Sequence, residues 1–202
     1  MASLQLYDHL RGIFVGEELS ESTLLVRRFL NHKLCFVDGE KVKSFFSCDS
    51  VTHSGKSNTW FTPKYFFDAL GEFDLDPCTE SFRPFDTAKT HFEHDKGQDG
   101  LAPHWEGRVW LNPPYGNFTR VWLTRLREHG NGIALVFTAF ETTWGQEAVK
   151  TSDGIYLLAG RVSFIDQNGV AKNNAGKGSC LVVYGKENLE SVKKLKGVLV
   201  KP

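Results

Sequence analysis

Beyond residue 58 the chain alternates short apolar runs with stretches of helical spacing, and this alternation constrains the fold more than any other feature. Phe73-Asp74-Leu75-Asp76, Val109-Trp110-Leu111, Ile133 to Phe137, Ile155 to Leu158 and Leu181 to Tyr184 read as strands, each too short for a helix. Between them, Pro63 to Leu70 reads as a short helix opened by Thr62, with proline in its first turn. Phe118 to His129 reads as an amphipathic helix with Val121, Trp122 and Leu126 inward, and Trp144 to Lys150 as a further helix. Strands alternating with helices predict an α/β domain whose mainly parallel sheet is covered on both faces. Val162-Ser163-Phe164-Ile165, a Gly/Asn/Lys-rich loop and Cys180 to Tyr184 predict a closing antiparallel hairpin at or near one edge. In such sheets ligands bind outside the carboxyl ends of the strands.

The polar stretch Ser47 to Asn58, SCDSVTHSGKSN, reads as a linker. Before it, Glu21 to Leu30 has helical spacing. Leu34 to Val37, a turn at Asp38-Gly39, and Val42 to Phe46 read as a hairpin. Residues 1–50 are therefore expected to form a small α+β unit apart from a main domain over 58–202. The 202 residues suffice for one ordinary domain plus such an appendage, and 41% hydrophobic with 24% charged residues is a soluble globular composition. The sequence has no run of eighteen apolar residues, and the N-terminus lacks a basic flank and an apolar stretch, so neither a membrane span nor a secretory signal is expected. Cys35, Cys48, Cys78 and Cys180 are scattered with no C-x-x-C, which favours a reducing compartment. Cys48 and His53 would make only half a zinc site, and no metal is expected.

Formal net charge is zero, but its distribution is uneven. Residues 58–106 carry 4 Lys/Arg against 10 Asp/Glu, whereas residues 172–202 carry 7 against 2. A basic face can thus lie opposite an acidic one. The Lys193, Lys194, Lys196 and Lys201 tail reads equally well as a solvated helix face.

The sharpest chemical signal is Asn112-Pro113-Pro114-Tyr115, directly after the strand Val109-Trp110-Leu111. The Asn112 side-chain oxygen and the Pro113 carbonyl can both accept hydrogen bonds from an amino group. Two prolines fix φ and hold those acceptors rigidly. Tyr115 offers a face on which a planar base can stack, an interaction worth about 1–3 kcal/mol per base.

This string after a strand resembles the amino-group methyltransferase signature. Residues from Asn58 to about Tyr184 resemble the phage-type, Dam-like DNA N6-adenine methyltransferases. The resemblance rests on Trp60-Phe61-Thr62-Pro63, Phe73 to Cys78, Asp99-Gly100-Leu101, Trp105, Val109 to Gly116 and Gly160 to Phe164, in that order. It implies a Rossmann-like fold, S-adenosylmethionine as cofactor and double-stranded DNA as partner. It also implies phage or prophage origin, and work in the bacterial cytoplasm in the setting of restriction and modification. Trp60, Thr62 and Pro63 would lie against the methionine end of the cofactor. Asp76, followed by Pro77 and Cys78, would accept from its amino group, and a carboxylate suits a cationic ligand. Asp99 would contact the cofactor adenine, although an Asp-Gly pair also simply caps a turn. Asp95 and Glu93 are candidates for the ribose hydroxyls. The Gly-rich turn common to such enzymes is replaced by Asp76-Pro77-Cys78-Thr79, consistent with a cofactor that has no phosphate to cradle.

For the target, the loop from Asp166 to Ser179 offers amides and cations, notably Lys172, Asn173, Asn174 and Lys177, to bases and phosphates. It reads equally as a plain hairpin loop. Arg120, with Arg125 and Arg127, forms either a second phosphate set or a solvent face. The N-terminal unit reads as a recognition module, a homodimerisation module or a scaffold. Three rival functions remain: methylation of RNA adenine or protein glutamine, an inactive DNA-binding decoy, and a metal-dependent hydrolase built on Asp86, His91, Glu93, His94 and Asp95.

Overall fold

The structure, a computed structural model, describes residues 5–8, 13–15, 34–38, 41–44, 60–116, 118–171 and 175–200. It divides into two compact units, residues 1–57 and 58–202. In the first, β1 (Gln5–Asp8), β2 (Ile13–Val15), β3 (Leu34–Asp38) and β4 (Lys41–Ser44) form an antiparallel sheet in the order β2-β1-β3-β4. The expected hairpin is the β3–β4 pair, with Cys35 opposite Ser44 and Asp38 opposite Lys41. The helix expected over 21–30, the linker over 47–58 and the Cys48–His53 pair lie outside the described residues.

The second unit holds a seven-stranded sheet in the order β11-β9-β10-β8-β7-β5-β6. Its strands are β5 (Leu75–Thr79), β6 (Thr90–Glu93), β7 (Val109–Leu111), β8 (Gly132–Phe137), β9 (Gly154–Leu158), β10 (Ser179–Tyr184) and β11 (Gly197–Val200). Strands β5 to β9 point one way and β10 and β11 the other, because β10 pairs antiparallel with both β8 and β9, and β11 pairs antiparallel with β9. The helices are α1 (Lys64–Leu70), α2 (Thr119–His129), α3 (Thr143–Thr151) and the short α4 (Leu189–Val192). This mixed α/β architecture is compatible with a methyltransferase fold.

The strand period of two sorts the core into two layers. Trp110, Ile133, Leu135, Leu181 and Val183 face one side with Phe66 and Leu70 of α1 and Val192 of α4. Val109, Leu111, Ala134, Val136 and Val182 face the other with Trp122, Leu123 and Leu126 of α2 and Ala148 of α3. Every residue of β10 is buried, as the unbroken run Cys180 to Tyr184 requires of a strand covered on both faces.

Several expectations need correction. Val162 to Ile165 is not a strand paired with β10. Val162 and Phe164 plug the α1 side of the core, and Ile165 bridges instead to Phe61 and Ala171. Nor is β10 peripheral. It lies inside the sheet, and the edge belongs to β11, within the stretch read as a Lys-rich helix face. Val121 is 39% exposed. The buried stripe of α2 is Thr119, Trp122, Leu123 and Leu126, the i, i+3, i+4, i+7 set, and Val121 falls a helical step outside it. Proline, not Thr62, caps α1 at position 63. The first strand starts at Leu75, so Asp76 is its second residue and not its last, and His91 to Glu93 belong to β6 where a polar loop was expected.

The topology contains one reversal of winding. From β5 the chain moves outward to β6, then crosses back to β7 on the other side of β5 and continues to β8. Such a reversal of winding leaves a crevice at the carboxyl ends of the two strands concerned. Here β5 and β7 pair only at Leu75 with Val109. Pro77 has no N–H for a ladder, and the β5–β6 register shifts between Asp76 and Thr79. The far end of β5 is instead held by the turn at Asp99-Gly100-Leu101. Gly100 lies so close to Pro77 that an added Cβ would stand 1.7 Å from the Pro77 carbonyl oxygen. The buried indole of Trp105 donates to the Gly100 carbonyl at 2.8 Å and locks this approach. At the opposite, amino-terminal end, Arg108 donates to the Leu70 and Glu72 carbonyls, to Asn188 and to Ser191, and stacks 4.2 Å over Phe73.

Gly100→Ala is expected to destabilise the chain by about 1–3 kcal/mol, since the methyl group has no room without backbone displacement. Equilibrium urea unfolding checks this, and an unchanged midpoint would show that the turn yields freely.

Candidate active site

Strand β7 stops at Leu111 because the next three residues are Asn112 and two prolines, which have no N–H to extend a ladder. Pro113 is buried, and the Pro114 carbonyl accepts from the Thr119 hydroxyl at 3.1 Å, which fastens the segment to the first turn of α2. The Asn112 amide group donates to the Trp60 carbonyl at 3.4 Å, and the Tyr115 hydroxyl donates to Asn112 Oδ1 at 3.3 Å. A backbone carbonyl can only accept, so the Asn112 NH2 must face Trp60 and its oxygen must face away. Both contacts exceed the 2.7–3.2 Å of a good hydrogen bond. The carboxamide is therefore oriented but only weakly engaged. Among the described residues no hydrogen bond reaches the Pro113 carbonyl.

The Tyr115 ring stacks on Phe137, the last residue of β8, with centroids 4.0 Å apart and planes 20° from parallel. One face of the tyrosine is thus taken, yet the residue stays 36% exposed. Burial raises its phenol well above the ordinary range, with the Cys180 and Cys78 thiols adding to the effect, so the hydroxyl stays protonated and able to donate. Trp60 and Phe82 are also exposed aromatics on this side, and Phe82 packs edge-on to Phe61 at 5.8 Å.

On the β5 side of the crevice, Asp76 is buried. Thr87 Oγ1 donates to its Oδ2 at 2.5 Å and the Cys78 N–H to its Oδ1 at 3.1 Å. Burial dominates over these two bonds and over the more distant Arg83, and pushes the Asp76 carboxyl up to about 6. Among the described residues no cation forms an ion pair with it. Thr62, in the segment that approaches Asn112, is likewise buried, and its hydroxyl has no partner among the described residues. A buried acid lacking a counter-charge and a buried hydroxyl lacking a partner fit a ligand that is cationic and hydrogen-bonding, as S-adenosylmethionine is.

The remaining expected residues are placed as follows. Asp99 accepts from the Leu101 N–H at 2.9 Å, so it caps its turn, and that turn abuts Pro77 beside Asp76. Glu93 is held by Lys96 and Arg83, which keep its carboxyl below the usual range. Asp95 accepts from the Ser81 N–H at 2.7 Å and Ser81 hydroxyl. His91 Nε2 faces the Thr87 and Ala88 N–H groups at 3.3 Å, so it serves as an acceptor and not as a metal ligand. Among the described residues no group of three or more His, Cys, Asp or Glu could hold a metal ion, and no helix is long and apolar enough to cross a membrane. Arg120 and Arg127 both approach Glu147 of α3, whereas Arg125 donates to the Pro103 carbonyl and lies over Trp105, so the three arginines do not form one cluster. Lys177 is exposed, and Lys172, Asn173 and Asn174 lie outside the described residues.

Sequence reasoning missed Thr87, Phe137 and Phe82. Thr87 carried no signal, lying eleven residues beyond Asp76 in a polar stretch. Phe137 did carry one, as an aromatic at the carboxyl end of a buried strand, and Phe82 did as an aromatic in a polar loop.

Compared with known proteins, residues 49–198 match the family model described as DNA N-6-adenine-methyltransferase (Dam), which is most of the chain. No curated protein and no solved structure matches it.

An Asp76 that ionises at about 6 when folded, against the ordinary 3.8 of an aspartate, binds an extra proton in the folded state between those pH values. Folding stability from this group is therefore lost as pH rises through that window, a cost of about 3 kcal/mol at neutral pH for a shift of this size. Asp76→Asn keeps an acceptor for the Cys78 N–H and replaces the acceptor of the Thr87 hydroxyl with an NH2 that can donate to it. Relative to wild type, its ligand-free stability is expected to gain by about that amount between pH 4 and pH 7. Chemical denaturation at the two pH values tests it, and a pH-independent difference would mean that Asp76 is not buried without a counter-charge.

Proposed function

Because the chain belongs to the DNA N-6-adenine-methyltransferase (Dam) family, we propose that it transfers a methyl group from S-adenosylmethionine to the N6 amino group of adenine in duplex DNA, on a Rossmann-like catalytic domain over 58–202. The observation that carries this reading is the Asn112 carboxamide at the winding reversal, oriented by Trp60 and Tyr115 but weakly engaged by both. The neighbouring strand β5 carries a buried acid, Asp76.

Trp60, Thr62 and Pro63 would hold the methionine end of the cofactor, Asp76 with Pro77 and Cys78 its ammonium side, and the Asp99 turn its adenine. Bound there, S-adenosylmethionine would supply an electrophilic sulfonium methyl group with a neutral thioether as leaving group, and the methylated amine would release one N6 proton to solvent. The chain's own residues do the rest. Adenine N6 is a poor nucleophile because its lone pair is delocalised into the ring. Asn112 Oδ1 and the Pro113 carbonyl each accept a hydrogen bond from the amino group and draw it toward tetrahedral geometry. That localises the lone pair and sets its direction, so the catalysis is orientation and electrostatics. The base must leave the duplex, at a cost of a few kcal/mol. Stacking on the open face of Tyr115, backed by Phe137, offsets part of that cost. Lys172, Asn173, Asn174, Lys177 and Arg120 are the proposed DNA contacts, and residues 1–50 a recognition or homodimerisation unit. RNA adenine, protein glutamine and a decoy role are weaker readings. The family match names DNA adenine, and the Asn112-Pro113-Pro114-Tyr115 string is complete in the sequence.

Asn112→Ala is expected to lower methyl transfer at least about a hundredfold, the scale of losing one preorganised polar group, while leaving thermal unfolding unchanged. Methylation of random-sequence duplex DNA, with long-read detection of N6-methyladenine, measures activity and target site together. Near-normal turnover by this variant would remove the mechanism, and absence of N6-methyladenine with the wild type would remove the function.

A further inference from the structure

The hydrogen bond that orients Asn112 comes from a segment with no strand or helix of its own around it. Trp60 and Phe61 precede α1, and an extended backbone there has unsatisfied groups unless something pairs with it. Ile165 does so. The Phe61 N–H donates to the Ile165 carbonyl and the Ile165 N–H to the Phe61 carbonyl, both at 3.0 Å. Ile165 in turn bridges to Ala171, which makes residues 165–171 a miniature hairpin. Its turn is organised by Asp166, whose Oδ1 accepts from the Asn168 N–H at 2.9 Å and the Val170 N–H at 3.0 Å, while Gly169 takes the positive φ of 74° that the tip requires. The tip itself, Gln167 to Val170, is exposed.

We propose that the Phe61–Ile165 bridge is a positioning device. The Asp166 turn holds Ile165, Ile165 holds Phe61, and the adjoining Trp60 carbonyl, accepting at 3.4 Å, biases which way the Asn112 carboxamide faces. Without that carbonyl as an obligate acceptor, the amide can flip and present NH2 where the reaction needs an oxygen, since its two ends are nearly the same size. The device also links the exposed tip to the catalytic amide through Asp166, the Phe61–Ile165 bridge and the Trp60 carbonyl. Gln167 and Asn168 at the tip carry the amides suited to adenine edges, so a tip seated on DNA would steady the oxygen that accepts from the target amine. Asp166 is thus a positioning residue that acts through Ile165. The catalytic part of this inference rests on the reading proposed above.

The test uses the full chain and three variants, Asp166→Ala, Asp166→Asn and Asn112→Ala, with the Asp166→Ala/Asn112→Ala double variant. Hydrogen exchange followed by mass spectrometry reads the Phe61 amide without any need for activity. Asp166→Ala is expected to speed its exchange about tenfold, and Asp166→Asn, which keeps an oxygen for both N–H groups, to restore it. Single-turnover methyl transfer at saturating cofactor and DNA is expected to fall about tenfold in Asp166→Ala and to recover in Asp166→Asn. In the Asn112→Ala background Asp166→Ala should cost nothing further, because the two act as one unit. An equal tenfold loss in both backgrounds, equal losses for Ala and Asn, or a Phe61 amide indifferent to Asp166→Ala would each overturn the proposal. A responsive Phe61 amide in a wild type that puts no methyl group on duplex DNA would instead overturn the functional reading and leave the mechanical link standing.

Discussion

Strands β5 and β7 touch through one pair, Leu75 with Val109, and then part. Nearly everything functional in the second unit depends on that parting. It happens because the chain reverses its winding there, and because Pro77 and Asn112-Pro113-Pro114 deny both strands the N–H groups that would zip them further. The gap does not collapse, since its walls are braced from behind. The Gly100 turn presses on Pro77 from one side, and the Tyr115–Phe137 stack ties the end of β7 to the end of β8 on the other. Farther along the sheet, β10 is buried on both faces between β8 and β9 and gives the braces a fixed base.

Two polar features at these strand ends are held short of their best partners, and burial makes the first of them costly. Asp76 is buried with hydrogen bonds but without a counter-charge, and Asn112 makes two long bonds where a shorter pair would be stronger. Both make sense as groups whose best partners arrive with the reaction. A carboxylate already paired with arginine would offer a cationic ligand little. An amide oxygen already well bonded would have to surrender that bond before accepting from an amine. Unspent interaction of this kind raises a rate only if it is engaged more strongly in the transition state than in the ground state, and under the proposed function an acceptor for a pyramidalising nitrogen would meet that condition.

The residues that made the fold legible are the long apolar runs. Ile133 to Phe137 and Leu181 to Tyr184 could only be buried strands, and Trp122 with Leu126 could only be a helix stripe. What misled was composition without partners. Val162-Ser163-Phe164-Ile165 alternates like a strand, yet it serves as a core plug ending in a two-residue bridge, because β10 had better partners on both sides. Lys193 to Lys201 looks like a solvated helix, yet the small Gly197 lets the chain turn flat against Tyr156, where any Cβ would meet the Leu157 carbonyl at 2.3 Å. In the site, Asn112, Tyr115 and Asp76 were visible as residue types at strand ends. Thr87 and Ile165 were not, since their roles come from contacts across 11 and 104 positions of sequence.

Sequence by itself determined the chemistry on offer: an amide, a carbonyl and an aromatic ring fixed in one rigid turn, an acid one strand away, and enough alternating apolar segments to build a two-faced sheet. Those are local properties, set by side-chain type, proline geometry and period. Tertiary structure alone decided which way the Asn112 amide faces, that Asp76 lacks a counter-charge, and that β10 sits inside the sheet. These depend on what stands opposite each group. A hydrogen bond to the Trp60 carbonyl, the desolvation of a carboxylate and the choice between two strand partners are settled by residues far away in the chain, and no local pattern encodes them.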